Sequence, residues 1–256
     1  MSLDLTNIPA IMRSKGWDKG AALMDRWFAG PALATPQVQS PDTSTITMQW
    51  ALGYSRARDT YNKLIRERVW ANPAAQGEIK KLLQRKNKLT NTAQRFGQLS
   101  GAANVLDADY INYRGIGSGY SGVYSGASGD TYYGLYYYGA SYYGGGMDDM
   151  MAGLGNFVFR VLVSGSVAPS GSGHDVTIDR IGVYLRDSYS FEGDQHLGFW
   201  DDSDNSVSAI NFLSGTRVTN KSFREWRTAN GKGGDYLIYS DIKQVPLARP
   251  DQFHLV

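Results

Sequence analysis

The chain has 256 residues and no cysteine, which excludes disulfides, thiolate zinc sites and cysteine nucleophiles. Its 3 histidines are far apart and form no His-Glu-x-x-His motif, and a Gly-x-Ser-x-Gly serine elbow is missing as well. No apolar run approaches the roughly 20 residues of a transmembrane helix, and the N-terminus lacks the apolar stretch of a secretory signal. We therefore expect a protein made in the cytoplasm, without a transmembrane segment, which is exported without a signal peptide if it is exported.

Charge is unevenly distributed along the chain, although the 26 basic and 24 acidic residues nearly cancel. Residues 1–100 hold 15 Lys and Arg against 7 Asp and Glu, whereas residues 101–256 hold 11 against 17. Such asymmetry bears on the choice of partners more than on the fold. With 42% hydrophobic residues the chain can bury a core.

The first region, 1–100, is predicted to be a basic helical region. Apolar periodicity and capping residues predict four helices, whereas three prolines indicate an extended connector and one alternating segment indicates a strand. The first predicted helix begins at Ile8, the second is capped by Asp18, and the other two cover 56–69 and 74–96. The connector covers 31–41, and the strand covers 45–50.

The last region, 156–256, is predicted to be an antiparallel α+β region with one helix. Strands are expected at 156–167, 175–185, 197–200 and 236–239, because β-branched and aromatic residues are concentrated there. The helix is expected at 221–229, with a capping box that begins at Ser222 and a stop at Gly231. The fold class is therefore α+β, and we expect the regions to form one compact unit.

A linker, 101–155, joins the two regions and contains a Gly/Tyr-rich insertion at 115–146. The insertion holds 11 of the 30 glycines and 9 of the 17 tyrosines. Tyrosine rings stack on planar aromatic ligands or bases, and phenol oxygens are suitable ligands for ferric iron. A flexible low-complexity loop is the alternative. The candidate ligand-binding residues of this segment are Tyr132, Tyr133, Tyr136, Tyr137 and Tyr138.

Two polar clusters are candidate sites in the last region. Asp187 and His196 accompany a run of acidic residues, Glu192, Asp194, Asp201, Asp202 and Asp204. Carboxylates near a histidine are suited to general acid–base chemistry or to a hard metal ion, although turns use the same residues. The candidate catalytic residues are Asp187, His196 and Asp235, and the identity of any metal or other cofactor is left open.

The second cluster, near the end of the predicted helix, is a candidate anion-binding site. It combines Arg224, Arg227 and Lys232 with a Gly-rich turn, and Arg, Lys and backbone N–H groups bind phosphate. However, the turn follows the helix instead of opening one, so a glycine C-cap is the alternative.

The predicted helices between residues 56 and 95 carry 11 Lys and Arg against 3 acidic residues. This basic face is suited to nucleic-acid phosphate, but no nucleic-acid-binding module accompanies it. The alternatives are a solvated helix face or an acidic partner, including the acidic half of this same chain.

Three groups of motifs carry a resemblance to a known family. They are Ile8-Pro9-Ala10-Ile11-Met12-Arg13 with Gly16-Trp17 and Leu23–Phe28; Gly155-Asn156-Phe157 with Val183–Tyr189 and Leu197–Trp200; and Phe223-Arg224 with Gly231–Asp235 and Tyr239-Ser240-Asp241. Together they resemble a bacterial family of unknown function that is often encoded beside the spike genes of type VI secretion systems. The Gly/Tyr-rich insertion departs from that resemblance.

The resemblance implies a cargo or effector protein that is loaded on the secretion spike or its adaptor and acts by binding. An immunity protein or a surface receptor is then a further possible partner. Effectors of this class poison competing cells or, like TseF-type proteins, help the producer to acquire iron. A hydrolase or nuclease toxin and a carrier of iron or a planar aromatic ligand are therefore the alternative expectations.

Overall fold

The computed structural model describes residues 3–111, the backbone of 122–124, and residues 147–208 and 215–256. It confirms the predicted α+β class, with helices in the N-terminal region and a mainly antiparallel sheet in the C-terminal region. The Gly/Tyr-rich insertion, including its five candidate tyrosines, lies outside the described residues apart from the backbone of one short strand. None of the described helices has the length and apolar composition needed to cross a bilayer.

All but one of the described α-helices contribute buried residues to the core on one face of the sheet, and the short helix at 103–106 packs on the other face. The described α-helices are α1 (Ile8–Ser14), α2 (Asp18–Ala29), α3 (Met48–Gly53), α4 (Ser55–Arg66), α5 (Pro73–Arg85), α6 (Ala103–Leu106), α7 (Asp149–Leu154) and α8 (Asn220–Asn230). Helix α8 agrees closely with the prediction and ends, as expected, at Gly231 with φ +63°. Its capping box begins earlier than predicted, because Thr219 and Ser222 cap each other's backbone N–H groups.

The predictions for two segments between residues 45 and 96 are wrong. The alternating segment 45–50 is not a strand, because the Thr47 side chain accepts a hydrogen bond from the Trp50 N–H at 3.1 Å and starts α3. The predicted helix 74–96 ends at Arg85, and Asn87 adopts a left-handed conformation with φ +51°. Residues 94–96 instead form a strand.

The sheet strands are β1 (Leu33–Asp42), β2 (Gln94–Phe96), β3 (Gly122–Tyr124), β4 (Asn156–Ser170), β5 (Gly173–Tyr189), β9 (Gly234–Tyr239) and β10 (Lys243–Leu255). Their order is β1-β9-β5-β4-β2, with β10 also on β5 and β3 also on β4; β1 and β9 are parallel and the other pairs are antiparallel. Strands β6 (His196–Asp201), β7 (Ser206–Ser208) and β8 (Thr216–Thr219) form a small separate sheet.

Strand β1 corrects the prediction of an extended connector at 31–41. It contains Pro36 and Pro41, and it lies at the end of the strand order with register shifts on both sides of Gln37. An edge strand tolerates proline, since one side of its backbone makes no ladder hydrogen bonds. The N-terminal region therefore contributes a strand to the C-terminal sheet.

The two faces of the sheet carry different cores. In β9, Tyr236 and Ile238 belong to the main core, which extends from Ile8 to Leu255, whereas Leu237 and Tyr239 belong to a smaller cluster on the other face. This alternation is the period-two pattern of a strand buried on both faces. The main-core face holds the candidate site.

Helix α7 fastens the chain that follows the insertion to the N-terminal helices. Trp17 is the N-cap residue of α2, but its side chain forms no capping hydrogen bond. The Asp149 carboxylate instead accepts hydrogen bonds from the Lys19 N–H at 3.1 Å and the Gly20 N–H at 2.7 Å. The exposed backbone N–H groups of a helix start are thereby satisfied from a distant part of the chain. Gly20 and Gly153 let the two helices approach, because a Cβ on Gly20 would lie 3.1 Å from the Gly153 nitrogen.

Candidate functional site

A cavity of about 310 Å³ lies between the main-core face of the sheet, the first two helices, α7, α8 and the small sheet. Four methionines from distant parts of the chain line it, together with four aromatic side chains. The methionines are Met12, Met24, Met147 and Met151, and the principal aromatic residues are Phe191, Trp200 and Phe223. The methionine and aromatic side chains give apolar, polarisable walls, and Asn156, Ser188, Ser190, Gln195 and Asn220 add polar groups to the lining.

Asp187 brings a carboxyl group into this apolar cavity. It lies on β5 opposite Ile238 of β9, and it follows Val183 and Leu185 at the alternate positions that face the main core. A hydrophobic residue would suit that position, because successive inward positions of a strand share one environment. Within the described residues, no Lys, Arg or His forms a salt bridge with Asp187.

The surroundings of Asp187 alter its acidity. Burial raises the pKa of its carboxyl to about 8, and the Ser188 N–H and the charge of Arg186 oppose that rise only in part. The side chain is half-buried in the cavity wall, and the cavity has room for water beside it. At pH 7 the carboxyl is therefore mostly protonated and able to donate a hydrogen bond.

Asp235, a predicted catalytic residue, lies in a buried ion pair instead of in the cavity. Its carboxylate pairs with Arg227 of α8 and accepts a hydrogen bond from Trp27 Nε1 at 2.8 Å. Asp235 and Arg227 are only 2% and 9% exposed, so both side chains are enclosed among α2, α8 and β9. The Arg227 guanidinium also lies 5.2 Å from the Trp27 ring centre.

Aromatic rings connect this ion pair to the cavity wall. Phe191 and Phe223 stack with ring centres 3.9 Å apart, and Trp27 meets Phe191 edge-on at 4.9 Å. Phe191 and Phe223 line the cavity on one side and contact Trp27 on the other. The Asp235–Arg227 pair therefore supports the wall from behind.

Arg224 and Lys232, the other predicted anion-binding residues, have separate surroundings. Arg224 donates hydrogen bonds to the carbonyls of Phe191 and Gly193 and pairs with Asp194 at 3.2 Å, so it holds the 190–195 loop that forms one cavity wall. Lys232 is exposed, and its backbone bridges to Pro31. The anion-binding role of the three basic residues stays a prediction, but the guanidinium groups of Arg224 and Arg227 already have protein partners.

The acidic residues of the 187–204 segment are dispersed. Asp201 accepts hydrogen bonds from Ser203, Asp202 accepts one from Asn7, and His196 packs its ring against Phe199 at 4.9 Å. In the described part of the chain, no three His, Asp or Glu side chains come together in a way that could hold a metal ion. The three predicted catalytic residues therefore lie in different places. Asp187 lies in the cavity, His196 on the small sheet, and Asp235 in the buried ion pair.

The acidic half of the chain pairs with five of the eleven basic side chains between residues 56 and 95. Some of these five are well exposed, and their partners are carboxylates from residues 101–256. The pairs are Arg56 with Asp148, Arg68 with Asp251, Arg85 and Lys86 with Asp109, and Arg95 with Asp179. Of the alternatives considered for the basic face, an acidic partner within the same chain is the one that these contacts favour.

A further polar cluster, which the sequence did not indicate, lies on the other face of the sheet. Asp107 pairs with Arg160 and accepts hydrogen bonds from Tyr184 at 2.6 Å and Tyr239 at 3.3 Å. The three partners lie 53 to 132 positions after Asp107 in the sequence, so no local motif joins them to it. The cluster fastens the segment after β2 against the sheet.

The fold and the cavity together define an α+β protein with a ligand-sized cavity, in which Asp187 supplies the one carboxyl group among the described lining residues. The chain belongs to a family of unknown function, DUF6402, which matches residues 3–217 and 214–255. No curated protein and no solved structure matches the chain.

Proposed function

We propose that this protein is a cargo or effector of a type VI secretion apparatus and that it acts by binding. One observation carries the proposal. Each of the three groups of motifs that resemble the family contributes residues to the same cavity. Met12 and Met24 come from the first group, Asp187 and Trp200 from the second, and Phe223 from the third. A ligand-sized cavity built from segments that are remote in sequence supports a binding function.

The same proposal includes partners and location. The protein would be made in the bacterial cytoplasm, loaded on the spike or its adaptor, and exported without a signal peptide. An immunity protein or a surface receptor would be the partner outside the producing cell.

An export experiment tests this proposal. We expect the protein to accumulate in the culture medium of the strain that encodes it, and to fall at least tenfold in an otherwise identical strain that lacks the spike gene. A cytoplasmic enzyme measured in the same samples controls for lysis. Equal amounts in the medium of both strains would contradict the proposal.

A toxin enzyme is the second candidate function, because the surroundings of Asp187 suit a general acid. A carboxyl with a pKa of about 8 holds its proton at neutral pH and can transfer it to a leaving group. Among the residues that line the cavity, Tyr189 is the other titratable group. An enzyme would therefore need its second catalytic group from the substrate, from water or from residues outside the described ranges.

Expression in a susceptible bacterium, in the cytoplasm and in the periplasm, separates the two candidates. If the protein is a toxin that uses Asp187, growth should stop with the native chain and recover with Asp187→Asn, while the exposed Asp204→Asn variant remains toxic. The binding proposal predicts unimpaired growth for all three chains in both compartments.

A further inference from the structure

We propose that the cavity around Asp187 binds a small organic cation, an amine on an apolar body, with the ammonium group against the Asp187 carboxylate. This inference concerns the ligand of the cavity and does not depend on whether the protein is exported. It rests on the size of the cavity, the composition of its walls and the isolation of one carboxyl group within it.

The size of the cavity restricts the ligand to a fragment-sized molecule. Its volume of about 310 Å³ lies at the lower end of the range for small-molecule sites, about 300 to 1,000 Å³. A single aromatic ring with a short side chain fits such a space. A nucleotide, a peptide or a metal chelate of siderophore size requires more room.

The walls favour an apolar body that carries a positive charge. Trp200, Phe191 and Tyr189 line the cavity, and the negative faces of aromatic rings attract ammonium groups. Methionine sulfur is polarisable and adapts to an apolar ring. Two methionines from the first two helices and two from the segment 147–151 supply that surface.

The isolated carboxyl group determines the sign of the charge on the ligand. A carboxylate in an apolar space is costly unless a cation accompanies it, and the described residues provide none in contact with Asp187. An ammonium group would supply the missing cation. An anionic ligand would meet no cation on the walls, since Lys, Arg and His are missing from the lining of the cavity among the described residues.

The neighbouring charged groups are already engaged with one another. Arg186 precedes Asp187 on β5 and hydrogen-bonds Tyr239, which belongs to the cluster on the other face of the sheet. Tyr189 and Tyr236 are the phenols that interact electrostatically with Asp187. The charged groups on the surrounding elements and their partners are Arg13 with Asp25, Arg26 with Asp42, Asp149 with the start of α2, and Arg227 with Asp235. His196 lies on β6, the strand whose Leu197 and Trp200 line the cavity, but its ring packs against Phe199 and is not part of the lining. Ionisation of Asp187, the carboxyl in the lining, is therefore the change that should govern amine binding between pH 6 and 8.

Calorimetric titration with 2-phenylethylamine tests the proposal, with 2-phenylethanol as a neutral probe of the same shape. Because Asp187 must ionise to pair with the amine, the dissociation constant of the amine should fall about tenfold from pH 6 to 7, and less from pH 7 to 8. The alcohol should bind with the same affinity at every pH. At pH 8 the amine should bind at least tenfold more tightly than the alcohol.

Matched variants complete the experiment. Asp187→Asn keeps the shape of the side chain and removes its charge, so it should weaken amine binding at pH 8 at least tenfold and abolish the pH dependence. Asp204→Asn, an exposed carboxylate, should bind like the native protein. Thermal unfolding of each variant checks the fold and should show stabilisation by the amine in all but Asp187→Asn.

Three outcomes would overturn the proposal. They are an amine that binds no more tightly than the alcohol at pH 8, an Asp187→Asn variant that retains amine binding, and the failure of both probes to bind. Each is independent of the export experiment, because purified protein and a chemical probe are sufficient to observe it.

Discussion

Replacing Asp235 with alanine is expected to lower the free energy of unfolding by about 3 to 5 kcal/mol. The substitution leaves the Arg227 charge enclosed without its partner, and it also leaves Trp27 Nε1 without the acceptor it now has at 2.8 Å. An isolated buried cation is far more costly than the loss of an exposed pair. Chemical denaturation of the purified protein measures the change.

A matched control lies on the same helix as Arg227. Lys221 and Glu225 form an exposed pair at 3.6 Å with both side chains 67% exposed, so Glu225→Ala should cost about 0.5 kcal/mol or less. Combining Asp235→Leu with Arg227→Met should recover part of the loss, since no charge is then buried. A loss below about 1 kcal/mol for Asp235→Ala would contradict a structural role for the ion pair.

Asp187→Asn is expected to stabilise the protein, and the gain should grow with pH. The carboxyl of Asp187 has a pKa of about 8 in the folded protein, against about 3.9 in an unfolded chain. Below pH 4 both states are protonated, and the residue has no effect on the pH dependence. Between pH 4 and 8 the unfolded state loses the proton while the folded state keeps it, so stability falls by about 1.4 kcal/mol per pH unit.

Asp187→Asn lacks this titration. The difference in the free energy of unfolding between the variant and the native protein should therefore appear above pH 4 and become constant above pH 8. Water in the cavity moderates the effect, and we expect a gain of about 3 to 5 kcal/mol at pH 8. Unfolding curves at pH 5, 6, 7 and 8 for both chains give this difference directly, because other titrating groups cancel. The Asp204→Asn control should stay within about 0.5 kcal/mol at each pH, and an equally flat difference for Asp187→Asn would contradict the account.

Elements with strong local signals were predictable from the sequence. Strands β4 and β5 combine β-branched residues with the period of a strand, and helix α8 has a clear stop at Gly231, whose left-handed conformation suits glycine. The prediction failed where a side chain or a distant strand decides the structure. Thr47 caps a helix in a segment that alternates like a strand, and β1 is a strand because β9 lies beside it.

The candidate site was predictable only in part, because spacing does not indicate burial. The acidic run around Asp187 makes it a candidate catalytic residue in the sequence. Its placement in the cavity, however, follows from its inward position on β5. Asp235 and Arg227 are eight positions apart, and this spacing does not indicate whether the two side chains are buried or exposed to solvent. More than 120 positions separate Met12 and Met24 from Met147 and Met151, so only the tertiary fold brings these cavity residues together.

The acidity of the Asp187 carboxyl tests the central claim, a lone carboxyl in an apolar ligand cavity, most directly. Carbon-detected nuclear magnetic resonance of ¹³C-labelled protein follows the side-chain carboxyl carbon through a pH titration, and Asp187→Asn assigns the signal. The account predicts a midpoint of about 8. A midpoint near 4, the value of a solvated aspartate, would contradict it.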